Sequence, residues 1–198
     1  MSQLRPRVRV DVREALTLQS QAGPGIVAIL GTATWGPVDE AVTVTSISQA
    51  LDVFKDDKTG TVDTISLIKG LDLLYRDGAG TVVAVRVTDG DEAKATNTFD
   101  GNSGGEADVL TFDGKYFGTY GNNIGVTITE NANTSANRDI EVTDGQTLEV
   151  YNNGGAGYAT NEAIATAINA TSTLVSVSVK AGSETSNIVD AVTQTFRS

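Results

Sequence analysis

The longest uninterrupted apolar run in this chain is five residues, IVAIL at 26–30, bounded by glycines in "GPGIVAILGTA". A bilayer-spanning helix needs ~20 apolar residues, so the core has to be assembled from short elements. The composition agrees. Glycine occurs 21 times, and Thr, Val, Asn and Asp are abundant, which favours short strands and frequent turns over long helices. At 198 residues the chain can form one large domain or two small ones and bury ~70% of its unfolded surface. The opening "MSQLRPRVRV" has no apolar segment of the kind a secretory signal carries. The expectation is a soluble protein made in a cytoplasm.

Periodicity then places the elements. Ile26, Val27, Ile29 and Leu30 read as a buried strand, followed by the alternating "AVTVTS". "SISQALDVFK" has helical spacing at Ile47, Leu51 and Phe54, with Ser46 or Ser48 as its cap. "TVDTISLIKGLDLLYRDG" carries Ile65, Ile68, Leu71, Leu74 and Tyr75 on one stripe. Thr61 or Asp63 is expected to cap it, Gly78 to end it, and Gly70 inside it to mark close packing. "TVVAVRV" follows as a strand. The next stretch, "DGDEAKATNTFDGNSGGEAD", is polar and turn-rich. Beyond it "VLTF", "IGVTIT", "DIEVT", "TLEVY" and "LVSVSVK" read as strands, and "ATNEAIATAINA" as a helix capped by Thr160. In "TYGNNIGVTIT", Gly121, Asn122 and Asn123 are expected to form a tight turn with positive φ. "NIVDAVTQTFRS" runs to the terminus without an obvious stop. The fold class is therefore α+β. An extended arm (1–22) precedes a mixed sheet layer with helices (23–88). A turn-rich linker (89–106) leads to a β-rich part with one helix at 160–170 (107–198).

Chemistry is constrained by what is missing. There is no Cys and no His. Thiolate nucleophiles, disulfides and a Ser-His-Asp arrangement are excluded, and so are the commonest general base and transition-metal ligand. "GPGIVA" has the spacing of a dinucleotide loop. That loop must follow a strand and open a helix, whereas here the glycines precede a β-branched run. The clusters "DDKTGTVD", "DGDE" and "FDGNSGG" lack the spacing of a calcium loop and read as turns. Trp35 reads as a packing residue at a loop. The sequence points away from an enzyme and implies no cofactor and no metal.

Charge is uneven. Net charge is −11, but the first thirteen residues hold four arginines against Asp11, leaving them at +3 and the rest at −14. An acidic body repels nucleic acid and anionic membrane; neither nucleic-acid binding nor membrane insertion is expected. "RPRVRVDVRE" alternates charge with Val8, Val10 and Val12, the period of a strand. Such an arm either folds back or pairs with a neighbour's sheet edge.

The ordered set of segments resembles the N-terminal part of a contractile tail sheath protein of tailed phages and phage-like contractile injection systems. The stretches that carry it are "PGIVAILGTATWGPVDEAV", "VTSISQALDVFK", "SLIKGLDLLYRDGAGTVVAVRV", "GKYFGTYGNNIGVTIT", "LEVYNN", the helix from Thr160 and "LVSVSV". Proteins of that family are usually longer and continue into a region that contributes to a tube-facing domain. The resemblance implies a homo-oligomer of stacked hexameric rings in a virion tail sheath, assembled in host cytoplasm. Its partners would be the tail tube, baseplate and tail terminator proteins, and contraction would drive genome ejection or tube delivery. It also implies inter-subunit contacts from the arm, at Arg5, Arg7, Val8, Arg9, Val10 and Val12. The alternative reading is a non-catalytic β-rich surface module that recognises glycan.

Overall fold

The computed structural model describes residues 26–55, 66–101, 106–185 and 188–196. Strands β1 (Val27–Gly31), β2 (Ala41–Val44) and β3 (Val82–Arg86) form one sheet in the order β1–β3–β2. β3 is parallel to β1 and antiparallel to β2. Helices α1 (Ile47–Phe54) and α2 (Leu67–Arg76) close one face of it. Ala50 and Phe54 from α1, and Leu67, Ile68 and Leu71 from α2, pack on Val44, Val82 and Ala84 as a small core.

The caps follow from side-chain chemistry. Ser46 accepts from the Gln49 N–H and opens α1. Ser66 accepts from the Lys69 N–H and opens α2, so the cap is Ser66 and not the expected Thr61 or Asp63, which lie with Ile65 outside the described residues. A Ser at the last position before the apolar stripe offers the same oxygen without extending the helix. Gly70 stands against β1, where a Cβ would run into Ile29 Cδ1. The expectation of close packing holds.

The expected burial of residues 26–30 does not hold in full. Among the described residues β1 is an edge strand with helices on one side only, so Val27 and Ile29 turn inward while Ile26 and Leu30 are each 69% exposed. A uniformly apolar run hides which of its residues face a second layer, because periodicity is absent from it.

The rest of the chain is β-rich, as expected. Strands β4 (Thr96–Phe99), β5 (Leu110–Gly114) and β9 (Val175–Val179) make an antiparallel sheet in the order β4–β5–β9. β6 (Gly125–Asn131), β7 (Thr134–Thr143), β8 (Leu148–Tyr151) and β10 (Val192–Thr195) make a second, ordered β10–β6–β7–β8. Helix α3 (Asn161–Thr171), capped by Thr160, packs its Ile164 and Ile168 into the same core as Phe99, Phe112, Ile128 and Ile140. β4 lies within the stretch expected to be turn-rich, since its outward residues are polar and only Phe99 is buried. β10 closes the far edge of the four-stranded sheet, in a stretch where the sequence shows no boundary.

The segment before β6 differs from expectation. Residues Thr119–Asn123 form a 3₁₀ turn, and positive φ falls on Gly118 (+123°), not on Gly121, Asn122 or Asn123. Gly121 is required for a different reason: a Cβ there would sit 2.8 Å from the Ala95 Cβ and 3.3 Å from the Trp35 ring.

Candidate assembly interface

The arm residues Arg5, Arg7, Val8, Arg9, Val10 and Val12 lie outside the described residues. What the structure builds instead is a polar seam between the two cores. Its centre is Arg86, the last residue of β3. Alternation along β3 turns Val82, Ala84 and Arg86 to one side, and Arg86 is completely buried. Its guanidinium donates to three backbone carbonyls: Ala33 O at 2.9 Å, Gly36 O at 2.8 Å and Phe117 O at 2.8 Å. Nη2 lies 3.5 Å from a Glu92 carboxylate oxygen. Burial pulls the Arg86 pKa down, and the Glu92 charge opposes that. The fork of fixed donors on a planar cation suits Arg to this task, and Lys could not reach all three acceptors at once.

A second tie runs beside it. Lys55, just past α1 and held at positive φ (43°), places Nζ 3.4 Å from Asp144 and 3.4 Å from the Thr147 hydroxyl. Tyr120 donates its hydroxyl to Asp144 at 2.9 Å. Asp144 also accepts from the N–H groups of Gln146 and Thr147, which fixes the turn between β7 and β8. Burial alone would push the Asp144 carboxyl up. The backbone donors, Tyr120 and Lys55 overcome it and hold the carboxyl below the usual range. The Tyr120 phenol is pushed up, first by burial and then by its bond to Asp144.

Trp35 completes the seam and is a packing residue, 1% exposed. Its ring sits edge-on to Tyr116 at 5.5 Å and tilted on Tyr120 at 5.9 Å. The cavity here, about 510 Å³, is lined by Thr34, Lys55, Arg86, Glu92, Gly118 and Thr119 among others. Both of its cations are already bound to protein acceptors, so the seam is built to join two layers. Among the described residues no three acidic groups are gathered to hold a metal ion.

Sequence reasoning misses Arg86, Lys55 and Asp144. The signal available is slight: a lone Arg ending an otherwise apolar strand "TVVAVRV".

No family model and no curated protein matches the sequence. Solved structures of similar architecture include a sheath tail protein. A sheath tail protein from Listeria innocua superposes with a TM-score of 0.60 at 23% identity, over 88% of this chain and 33% of that one. The fold is one shared with sheath tail proteins. A second sheath tail protein, from Desulfitobacterium hafniense, gives a TM-score of 0.48 at 17% identity over 89% of this chain and 37% of its own. The chain thus spans about a third of the length of these sheath tail proteins.

Proposed function

We propose that this protein is a non-catalytic structural subunit of a contractile tail sheath. Copies would assemble into stacked hexameric rings around a tail tube in a virion tail or a related contractile injection device. Baseplate and terminator proteins would bound the stack, and contraction would drive the tube outward. The observation that carries this reading is the shared fold over 88% of the chain with the Listeria sheath tail protein. Two properties of the chain support it. The absence of Cys and His removes the usual nucleophile and base. The alternating basic arm ahead of an acidic body suits contact between copies.

In this reading Arg5, Arg7, Val8, Arg9, Val10 and Val12 contact a neighbouring subunit. The test is negative-stain electron microscopy of the full chain mixed with its tail tube protein. Rings or sheathed tubes are expected, and their loss is expected on deleting residues 1–14. Mixtures that give neither rings nor tubes under any assembly condition would overturn the sheath reading. Unchanged sheaths after the deletion would overturn the role of the arm.

A further inference from the structure

The sequence holds five Asp–Gly steps, at 77–78, 89–90, 100–101, 113–114 and 144–145, and one Asn–Gly step, Asn153–Gly154. Such steps close readily to a succinimide, because glycine puts no Cβ in the way of its own nitrogen as that nitrogen approaches the side-chain carbonyl carbon. The fold disarms the five Asp–Gly steps by engaging the glycine N–H. That group donates to Tyr75 O from Gly78, to the Thr88 hydroxyl from Gly90 and to Glu106 O from Gly101. From Gly114 it donates to Ala95 O, and from Gly145 to the Thr143 hydroxyl. The Asn–Gly step is different. Among the described residues neither the Gly154 N–H nor the Asn153 side chain has a hydrogen-bond partner, and both residues are exposed. Its leaving group is also the better one, since an amide departs as ammonia whereas an ionised carboxylate has to shed an oxygen.

Asn153 and Gly154 are the central residues of a turn closed by the Gly155 N–H on Asn152 O at 2.9 Å, with φ of 42° and 69°. Positive φ at both is the mirror-image turn that Asn-Gly favours. It holds Asn153 in the left-handed region, which a residue with a Cβ occupies at a cost. Ring closure requires this turn to open, and an exposed turn is among the cheapest parts of a fold to open. Side-chain amides of the β6–β7 hairpin hold it shut. Asn131 and Asn133 donate to Gly155 O, and Asn137 donates to Ala156 O. Gly157 lies so close to the same hairpin that a Cβ there would sit 2.9 Å from the Cβ atoms of Asn131 and Asn137.

We infer that Asn153 is the chain's site of spontaneous deamidation, and that its isoaspartyl product loosens the 152–157 turn from the β6–β7 hairpin. The Gly154 nitrogen gives its proton to solvent base and attacks Asn153 Cγ. The N–Cγ bond forms, the Cγ–Nδ2 bond breaks, and ammonia leaves with a proton from water. Water then opens the succinimide. Attack at Cγ gives aspartate. Attack at the main-chain carbonyl gives isoaspartate, in which the chain runs through Cβ and Cγ. The balance is one water consumed and one ammonia released, with no change of oxidation state. Either product takes the net charge from −11 to −12. Isoaspartate alone lengthens the main chain, by one bond, between Asn152 O and the Gly155 and Gly157 N–H groups that donate to it.

The full-length chain is held folded in mildly alkaline buffer and sampled by peptide-mapping mass spectrometry, with isoaspartate labelled by an isoaspartyl methyltransferase. Residue 153 is expected to convert several-fold faster than any other asparagine and than the Asp–Gly steps. Asn153→Gln keeps the amide but has to close a six-membered ring, so conversion at 153 should vanish. Asn137→Ala frees Ala156 O, the turn opens more often, and conversion should rise several-fold. Hydrogen exchange reads the loosened turn. The Gly155 and Gly157 amides should exchange several-fold faster in the aged chain than in fresh Asn153→Asp, which carries the new charge on an ordinary backbone. No conversion at 153, or earlier conversion at another residue, overturns the site. An unchanged rate in Asn137→Ala overturns the control exerted by the hairpin. Equal exchange in the aged chain and in Asn153→Asp overturns the loosening.

Discussion

Replacing Arg86 by Met should cost this fold about 4 kcal/mol, a large share of the roughly 5–15 kcal/mol typical of a domain. Met fills much of the same volume without any donor. Three carbonyls, Ala33 O, Gly36 O and Phe117 O, would each lose a charged donor in a site from which the guanidinium excludes solvent. An unsatisfied buried acceptor costs about 1–3 kcal/mol, and some of that is recovered if water enters the adjoining cavity. Taking the low end for each carbonyl and adding the unpaired Glu92 gives about 4 kcal/mol. With a urea dependence of about 2 kcal/mol per molar, the unfolding midpoint should fall by about 2 M. Arg86→Lys keeps the charge but reaches fewer of the acceptors, so its midpoint should lie between the two. The assay is urea unfolding followed in parallel by Trp35 fluorescence and far-ultraviolet circular dichroism. Trp35 lies in the larger core and senses the seam directly through Tyr116 and Tyr120. A shift below about 0.5 M for Arg86→Met, or an Arg86→Lys protein as stable as the parent, would refute the idea that the three-carbonyl fork joins the layers.

Three further outcomes rest on the geometry. Gly118→Ala should destabilise by roughly 3 kcal/mol, since its φ is +123° and a Cβ would run into the Thr34 carbonyl oxygen; Gly145→Ala, at φ +82° with open space around it, should cost only about 1 kcal/mol by the same unfolding assay. Asp144→Asn should lower stability at neutral pH, and its deficit should shrink as pH falls below about 4, measured as midpoints from about pH 2.5 to pH 7. The sign follows from the depressed carboxyl: its contribution is present above the unfolded-state pKa and lost as pH falls through the folded one. The raised Tyr120 phenol works in the opposite direction, so Tyr120→Phe should become relatively more stable against the parent above about pH 10, where the parent loses what its neutral phenol contributes.

Much of the architecture is legible in the sequence because it rests on local rules. Ser46 and Thr160 sit where a cap oxygen reaches the N–H three residues on, and both cap their helices. The alternating strand β9 appears where the pattern places it, whereas β7 begins at Thr134, five residues ahead of its alternating "DIEVT". Elsewhere tertiary context decides. β4 is "TNTF", and three of its four residues are polar because the strand shows one face to water. Residues 26–30 are apolar throughout, so nothing local says that Leu30 is exposed and Ile29 covered. Gly118 is needed both for its φ of +123° and because Thr34 O, from a distant part of the chain, lies where a Cβ would be, and nothing in the neighbouring residues signals that contact.

The seam is the least legible part, and the reason bears on function. Arg86 acts through backbone carbonyls, which every residue has, so no partner type in the sequence could announce it. Lys55 and Asp144 are separated by α2 and by β3, β4, β5, β6 and β7 before they meet. The result is a joint in which two apolar cores are fastened by charged side chains on backbone and carboxylate acceptors. Such contacts hold only over a narrow range of distance and angle. Apolar contact, being non-directional, tolerates sliding far better. A subunit that has to transmit force between neighbours benefits from layers that keep their relative orientation under load, and a directional joint supplies that. In the proposed sheath the stiffness of the body would belong to Arg86 and Asp144. Arg86→Met should therefore impair assembled sheaths even under conditions where the isolated chain remains folded, a result read as fewer or irregular rings by electron microscopy at matched folded concentration. Regular rings from that variant would assign the seam to folding alone.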